Sequence, residues 1–324
     1  MTIGNIDPTN MSPEDTRAWS SHIVGLIEDG SPGSIKEAEM SMNEYIRPFN
    51  REMDFSNRIL SPTPWDESER VPALDHDHPM MYIEVEPSSP GAMMIDFGYN
   101  VNTFYPYGKR VPMVIQQQAT ERVIKEITEL ASYKYKFRQA LTDLASLQLA
   151  ALRDSRFMRC TRDLLGSPGV NLAWSGKPNN IDYAANIDYI SWQKFLDQPM
   201  QHVNKLKTAT VLINTLSIKW LRAVIAYTFQ GTDVAADVWR KAFEEVYLQG
   251  DNVRIIATIK DSLIAENEYI GYAAENRLGR YVQYYEPTMV VKNEGLHISF
   301  WQYEALGMMI VNPTGISLAK FNNT

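Results

Sequence analysis

The chain has 324 residues, 44% hydrophobic and 22% charged, an ordinary globular composition with length for about two domains. Its formal net charge is −8, with 39 acidic against 31 basic residues, which argues against a dedicated nucleic-acid binder, because tight phosphate binding needs clustered Lys and Arg. No window approaches the roughly 20 apolar residues that span a bilayer, and the first residues lack the charged and apolar regions of a signal peptide, so a soluble, non-exported protein is expected.

In chain order, Ser12-Pro13-Glu14-Asp15 supplies an N-cap, a proline at the first helical position and first-turn acids for a helix ending near Gly30. Ser34-Ile35-Lys36-Glu37 has the capping-box pattern and opens a second helix that stops before Pro48. The two form an N-terminal arm, placed either on a neighbouring molecule or as a cap on its own domain. Over residues 57–117, Pro62, Pro64, Pro72, Pro79, Pro87, Pro90, Pro106 and Pro112 interrupt β-prone pieces at 81–85 and 93–97. Proline at that density excludes long helices and central strands. It predicts a long projecting β-hairpin, which is marginal alone in water and needs a surface to lie on, such as an adjacent subunit.

Residues 119–158 carry the strongest helical pattern, with Val123, Ile127, Leu130, Tyr133, Phe137, Leu141, Leu144 and Leu152 spaced mostly by three or four. An uninterrupted helix there would reach about 50 Å, the alternative being two core helices broken near Ser132. Ser191 is predicted to cap a helix through Trp192, Phe195 and Leu196 that Pro199 kinks or ends. Residues 209–213 and 253–259 read as buried strands, with helices over 216–226 and from Asp233 to Gly250 between them. Residues 206–284 thus form an α/β domain. From Pro287 onward, three β-rich runs separated by Lys292-Asn-Glu-Gly295 and Asn312-Pro-Thr-Gly315 predict antiparallel strands closing one small sheet.

The order Ile298-Ser-Phe-Trp301, Glu304, Leu306-Gly-Met-Met-Ile-Val-Asn-Pro313 and Gly315-Ile-Ser-Leu-Ala319 resembles the closing sheet of tailed-bacteriophage major capsid proteins, the Johnson fold. A second stretch of likeness runs from Tyr105-Pro-Tyr-Gly-Lys-Arg-Val-Pro112 through Thr120-Glu-Arg122 to Asp154-Ser-Arg-Phe-Met158. In order of elements the resemblance covers nearly the whole chain. It implies an α+β fold with an N-terminal arm (1–56), an extended β-hairpin E-loop (57–117), a peripheral P domain with a long spine helix (118–205), an axial α/β A domain (206–284) and closing strands of the P domain (285–324). The residues at 296–300 and 308–311 would support the spine and carry no active site.

The function so implied is structural and non-enzymatic: hexamers and pentamers of an icosahedral shell enclosing double-stranded DNA, found in the virion after assembly in the host cytoplasm. The implied partners are other copies of the chain, a portal, a decoration protein and a scaffold that is either a separate protein or absent. DNA is enclosed without sequence-specific binding, and no membrane is involved. Family members that crosslink use an E-loop lysine, but between Lys36 and Lys125 there is only Lys109, near the hairpin base, so no crosslink is expected.

One cluster points elsewhere. In Asp75-His76-Asp77-His78 two imidazoles at i and i+2 share one side of a strand and would hold a metal with the flanking carboxylates, a third ligand coming from His22, His202, His297 or a distant acid. A metal-dependent hydrolase using His76 and His78 is therefore one alternative to a solvated hairpin tip; a monomeric two-domain binding protein is the other. No catalytic, cofactor or metal residue is otherwise expected, since the chain has no Gly-x-Ser-x-Gly, Walker, Gly-x-Gly-x-x-Gly or Cys-x-x-Cys pattern. The single Cys160 has no neighbouring His and reads as a small buried residue in a reducing compartment. Tyr281, Tyr284, Tyr285 and Trp301 read as sheet core or subunit interface, not as a base-stacking platform.

Overall fold

The structure is a computed structural model. It describes residues 31–40, 54–71, 78–85, 109–126, 144–166, 180–183, 189–202, 205–221, 247–248, 253–295 and 297–322, with separate positions between 18 and 29 and at 42, 186 and 187. Its strands are β1 (Thr63–Pro64), β2 (Arg70–Val71), β3 (Met80–Val85), β4 (Lys109–Val114), β5 (Gln116–Ala119), β6 (Val123–Glu126), β7 (Asn180–Tyr183), β8 (Thr208–Asn214), β9 (Tyr247–Leu248), β10 (Val253–Thr258), β11 (Glu268–Ala273), β12 (Gly279–Glu294), β13 (His297–Ile310) and β14 (Ile316–Phe321). The helices are α1 (Phe55–Ile59), α2 (Leu144–Gly166), α3 (Tyr189–Asp197) and α4 (Glu275–Leu278), with further helical residues in the arm, between 18 and 29 and over 32–40, and at 218–221.

Two sheets share the long helix α2. The first has the order β1-β12-β13-β5, with β6 also pairing with β13; the second has the order β7-β14-β11-β8-β10-β9. In the second sheet the two apolar runs predicted as buried strands are β8 and β10, which pair in parallel. Leu318, Ile270, Leu212 and Ile256 are successive cross-strand partners and form one apolar rung. They join the core that contains Phe157, Met158 and Leu165 of α2. The next residues along each strand point the other way because side chains alternate with period two, so Ala319, Tyr269 and Ile213 pack with Trp192, Phe195 and Leu196 of α3.

The first sheet is built on the β12–β13 hairpin, closed at Gly295, whose φ of +82° is the left-handed region a side chain disfavours. Register shifts between Gln283, Tyr285 and Thr288 bracket Pro287, which has no N–H for a ladder. Leu306, Met308 and Ile310 face α2, as expected for the strand that supports the spine. Ile298 and Phe300 instead join Met289 and Val291 under the N-terminal helices, through buried Ile23, Ile27, Ala38 and Met42. The described part of the arm therefore lies on its own chain.

Five expectations are corrected. The helix predicted over 119–158 is strand at its start, β5 and β6 pairing with β13, while α2 runs from Leu144 to Gly166; residues 127–143 lie outside the described set. The three-to-four spacing that begins at Val123 lost to cross-strand pairing, and Val123 remains exposed. The second arm helix is capped by Ser31, whose Oγ accepts from Ser34 N–H at 3.2 Å with Pro32 at the first helical position, not by Ser34. Ser191 lies inside α3, which begins at Tyr189. Finally, β14 does not close the β12–β13 sheet: Pro313–Gly315 forms a helical turn that carries the chain across to pair with β11 and β7. The helix predicted from Asp233 to Gly250 is also corrected at its end, where Tyr247–Leu248 is β9 and pairs with β10; the helix predicted over 216–226 is helical at 218–221, and residues 222–246 lie outside the described set.

Candidate functional site

Polar residues break the apolar face of β13 at its centre. Gln302 and Glu304, both fully buried, occupy the positions between Phe300 and Leu306 on the side facing α2. Opposite them, the buried stripe of α2 passes through Leu149 and Ala150, then Arg153 and Asp154, then Phe157 and Met158. Two charged residues thus sit at core positions of the helix. Arg153 is 2% exposed and places Nη1 2.6 Å from Asp54 Oδ2 and Nε 3.3 Å from Glu304 Oε1. Asp54 is the N-cap residue of α1, and its Oδ2 also accepts from Asn57 Nδ2 at 2.9 Å. Gln118 of β5 donates to Glu304 Oε1 at 2.9 Å.

A second ion pair lies alongside. Asp154 Oδ1 accepts the Ser56 N–H of α1 at 3.0 Å, capping that helix from 98 residues away, and Oδ2 accepts from Lys260 Nζ at 2.6 Å. The ammonium stands 5.7 Å from the centre of the Phe55 ring. Together the two pairs tie α1, α2, β13 and the turn after β10.

The balance of charge at this junction is uneven. Burial, opposed by Arg153 and reinforced by the negative Asp154 and Glu304, raises the Asp54 carboxyl to about 7. Burial likewise pushes Glu304 up, against the pull of Arg153. Burial works against charge on Arg153, but Glu304 and Asp54 outweigh it and hold the guanidinium above its ordinary range. Its members are buried and bound to one another across α1, α2 and β13, the arrangement of a structural clamp.

The β3–β4 ribbon is rooted beside the clamp. β3 and β4 pair from Met80↔Val114 to Val85↔Lys109, with β2 on the outer side of β3. Met81, Met113 and Ile115 pack on Val282 and Ala305, on the face of the first sheet turned away from α2. The seat is Gly307: a Cβ there would lie 2.7 Å from Ile115 Cδ1 and 3.0 Å from Met113 Cε. The lead-in is stitched down by Trp65 N–H to Gln283 O at 3.1 Å, Thr63 Oγ1 to Tyr281 O at 2.9 Å and Ser61 N–H to Glu275 Oε1 at 2.6 Å. Residues 86–108 lie outside the described set.

Of the cluster at 75–78 only His78 is described, and among the described residues no three His, Cys, Asp or Glu are grouped to hold a metal. His22 lies in the arm, 3.9 Å from Glu37; His202 is buried after α3; His297 begins β13. Cys160 is half-buried on α2, and burial raises its thiol, which suits an unreactive residue. Tyr281 belongs to the core, whereas Tyr284 stacks edge-on between Trp65 and an exposed Tyr285, and Trp301 lies under Arg122 at 5.5 Å. No described helix is long and apolar enough to cross a membrane.

No family model and no curated protein matches the sequence. Solved structures do match the fold. The capsid of cyanophage P-SCSP1u aligns with a TM-score of 0.53 at 11% identity, over 83% of this chain and 92% of that one. The asymmetric unit of the bacteriophage PhiM1 mature capsid gives 0.52 at 9%, over 77% and 84%. A virus-like particle from Pyrococcus furiosus gives 0.50 at 14%, over 88% of this chain and all of that one.

Proposed function

We propose that this chain, which has the α+β Johnson fold of tailed-phage major capsid proteins, is itself the major capsid protein of a double-stranded DNA phage. It closes into hexamers and pentamers that tile an icosahedral shell in the virion. The observation that carries this reading is the β3–β4 ribbon, whose base is seated at Gly307 on one face of the first sheet while α2 packs on the other. A ribbon so anchored is a tool for reaching a neighbour. Interfaces of this kind are heterologous, and rings form because the rotation closes. Burial of about several thousand Å² per subunit, as in obligate assemblies, would hold the shell through many weak contacts.

The net charge of −8 fits a wall that encloses DNA without gripping it. The partners are other copies of the chain, a separate scaffolding protein, a portal and a decoration protein. The reading assigns no catalytic role to any residue. The test is size-exclusion chromatography with electron microscopy of the full chain and of a variant lacking residues 66–100. Shells or capsomer rings are expected from the first, and a folded chain without shells from the second. Normal particles from the deletion would overturn the E-loop assignment, and a stable 37.0 kDa monomer with stoichiometric zinc would favour the hydrolase using His76 and His78.

A further inference from the structure

The junction of Asp54, Arg153 and Glu304 places two carboxyls against one guanidinium in a buried core, between elements far apart in sequence. Asp54 sits at the point where the arm ends and the lead-in to the ribbon begins. The groups facing it are Arg153 and Asp154 on α2, Glu304 on β13, Tyr281 on β12 and Lys260 after β10, while Arg156, farther along α2, acts on Glu304 and Tyr281. Lys260 is already engaged by Asp154 at 2.6 Å, so Arg153 is left to serve both Asp54 and Glu304. Three carboxylates face two basic groups within the clamp itself, and one bound proton restores the balance.

We propose that Asp54 is a proton-controlled latch: protonated, it fastens α1 to the spine helix; ionised, it loosens α1 and with it the roots of the arm and the ribbon. When α1 lifts, Asp54 meets water and behaves as an ordinary carboxyl, near 3.9. The seated form holds its proton to a higher pH. The seated state therefore binds one more proton than the lifted state throughout the interval between those two values. Opening becomes up to about tenfold more frequent for each pH unit as pH rises through that interval, and levels off above it. Acid tightens the latch. The device belongs to the folded subunit and holds whether or not the chain builds shells.

The experiment is hydrogen exchange on the full chain, corrected for intrinsic rates, following the Ser56 and Leu60 amides, which bond to Asp154 and to Ser56 O. Between pH 5 and 7 the opening constant should rise at least tenfold, then stay flat to pH 9. In Asp54→Asn, which cannot ionise, most of that rise should vanish. Glu304 contributes little to this local readout because β13 does not move with α1. Glu304→Gln removes the competitor for Arg153 and should shift the levelling-off to lower pH, which keeps the idea testable if Asp54→Asn fails to fold. An opening constant unchanged from pH 5 to 7 overturns the latch, as does an equal rise in Asp54→Asn or an unmoved end point in Glu304→Gln.

Discussion

Arg153 is the residue on which the platform depends most unevenly. Removing one partner from a buried ion pair leaves the others charged without compensation, at a cost of about 3–5 kcal/mol. Arg153→Met should lose that much in urea unfolding at pH 8, with Asp54 and Glu304 both left without their cation. At pH 5 the loss should be smaller, because carboxyls already raised by burial take up protons. In the wild type the sign follows from the same groups: the folded chain holds protons that the unfolded chain has released, so stability falls as pH rises from about 4 to about 7. Apolar spacing does not reveal such residues. Yet a signal was present: Arg153 and Asp154 occupy the three-to-four stripe between Leu149 and Phe157, and Glu304 the alternating positions between Phe300 and Leu306. A charge on an otherwise apolar face marks a buried pair, although which acid meets which base is a tertiary fact.

At the scale of elements, the order arm, ribbon, spine, α/β sheet and long C-terminal strands was readable, because prolines, caps and buried runs act locally. The spine was misplaced because β5 and β6 owe their conformation to pairing with β13, nearly 180 residues away, and no local pattern encodes that. β14 was assigned to the wrong sheet for the same reason. Within α2, Phe157 contacts both Phe55 and Tyr272, with ring centres 6.4 and 5.4 Å apart, so it binds the lead-in of the ribbon to the second sheet. Phe157→Ala should cost about 3–5 kcal/mol in denaturant unfolding. Gly307→Val tests a different junction. Its side chain would displace Met113 and Ile115, and overpacking of this kind costs about 1–3 kcal/mol. Methionine yields more readily than branched residues, so the expected outcome is a folded subunit with raised exchange at 109–114 and fewer assembled particles.

For the molecule as a whole, the open question in the sequence was whether the arm serves its own subunit or a neighbour. The buried contacts of Ile23, Ile27, Ala38 and Met42 with Met289, Val291, Ile298 and Phe300 give the answer for the isolated chain, and Glu39 adds a hydrogen bond to the Val291 N–H at 2.9 Å on the free edge of β12. That carboxylate occupies a donor which an intruding strand would otherwise pair with. Deleting residues 1–53 removes this cover but leaves Asp54 and the clamp. The expected result is a subunit with a lower melting temperature, stronger binding of a hydrophobic dye and irregular self-association in place of closed particles, since the exposed hairpin face is apolar and its edge unblocked. A truncated monomer as stable as the full chain would show instead that the arm reaches its seat only within an assembly, on another copy.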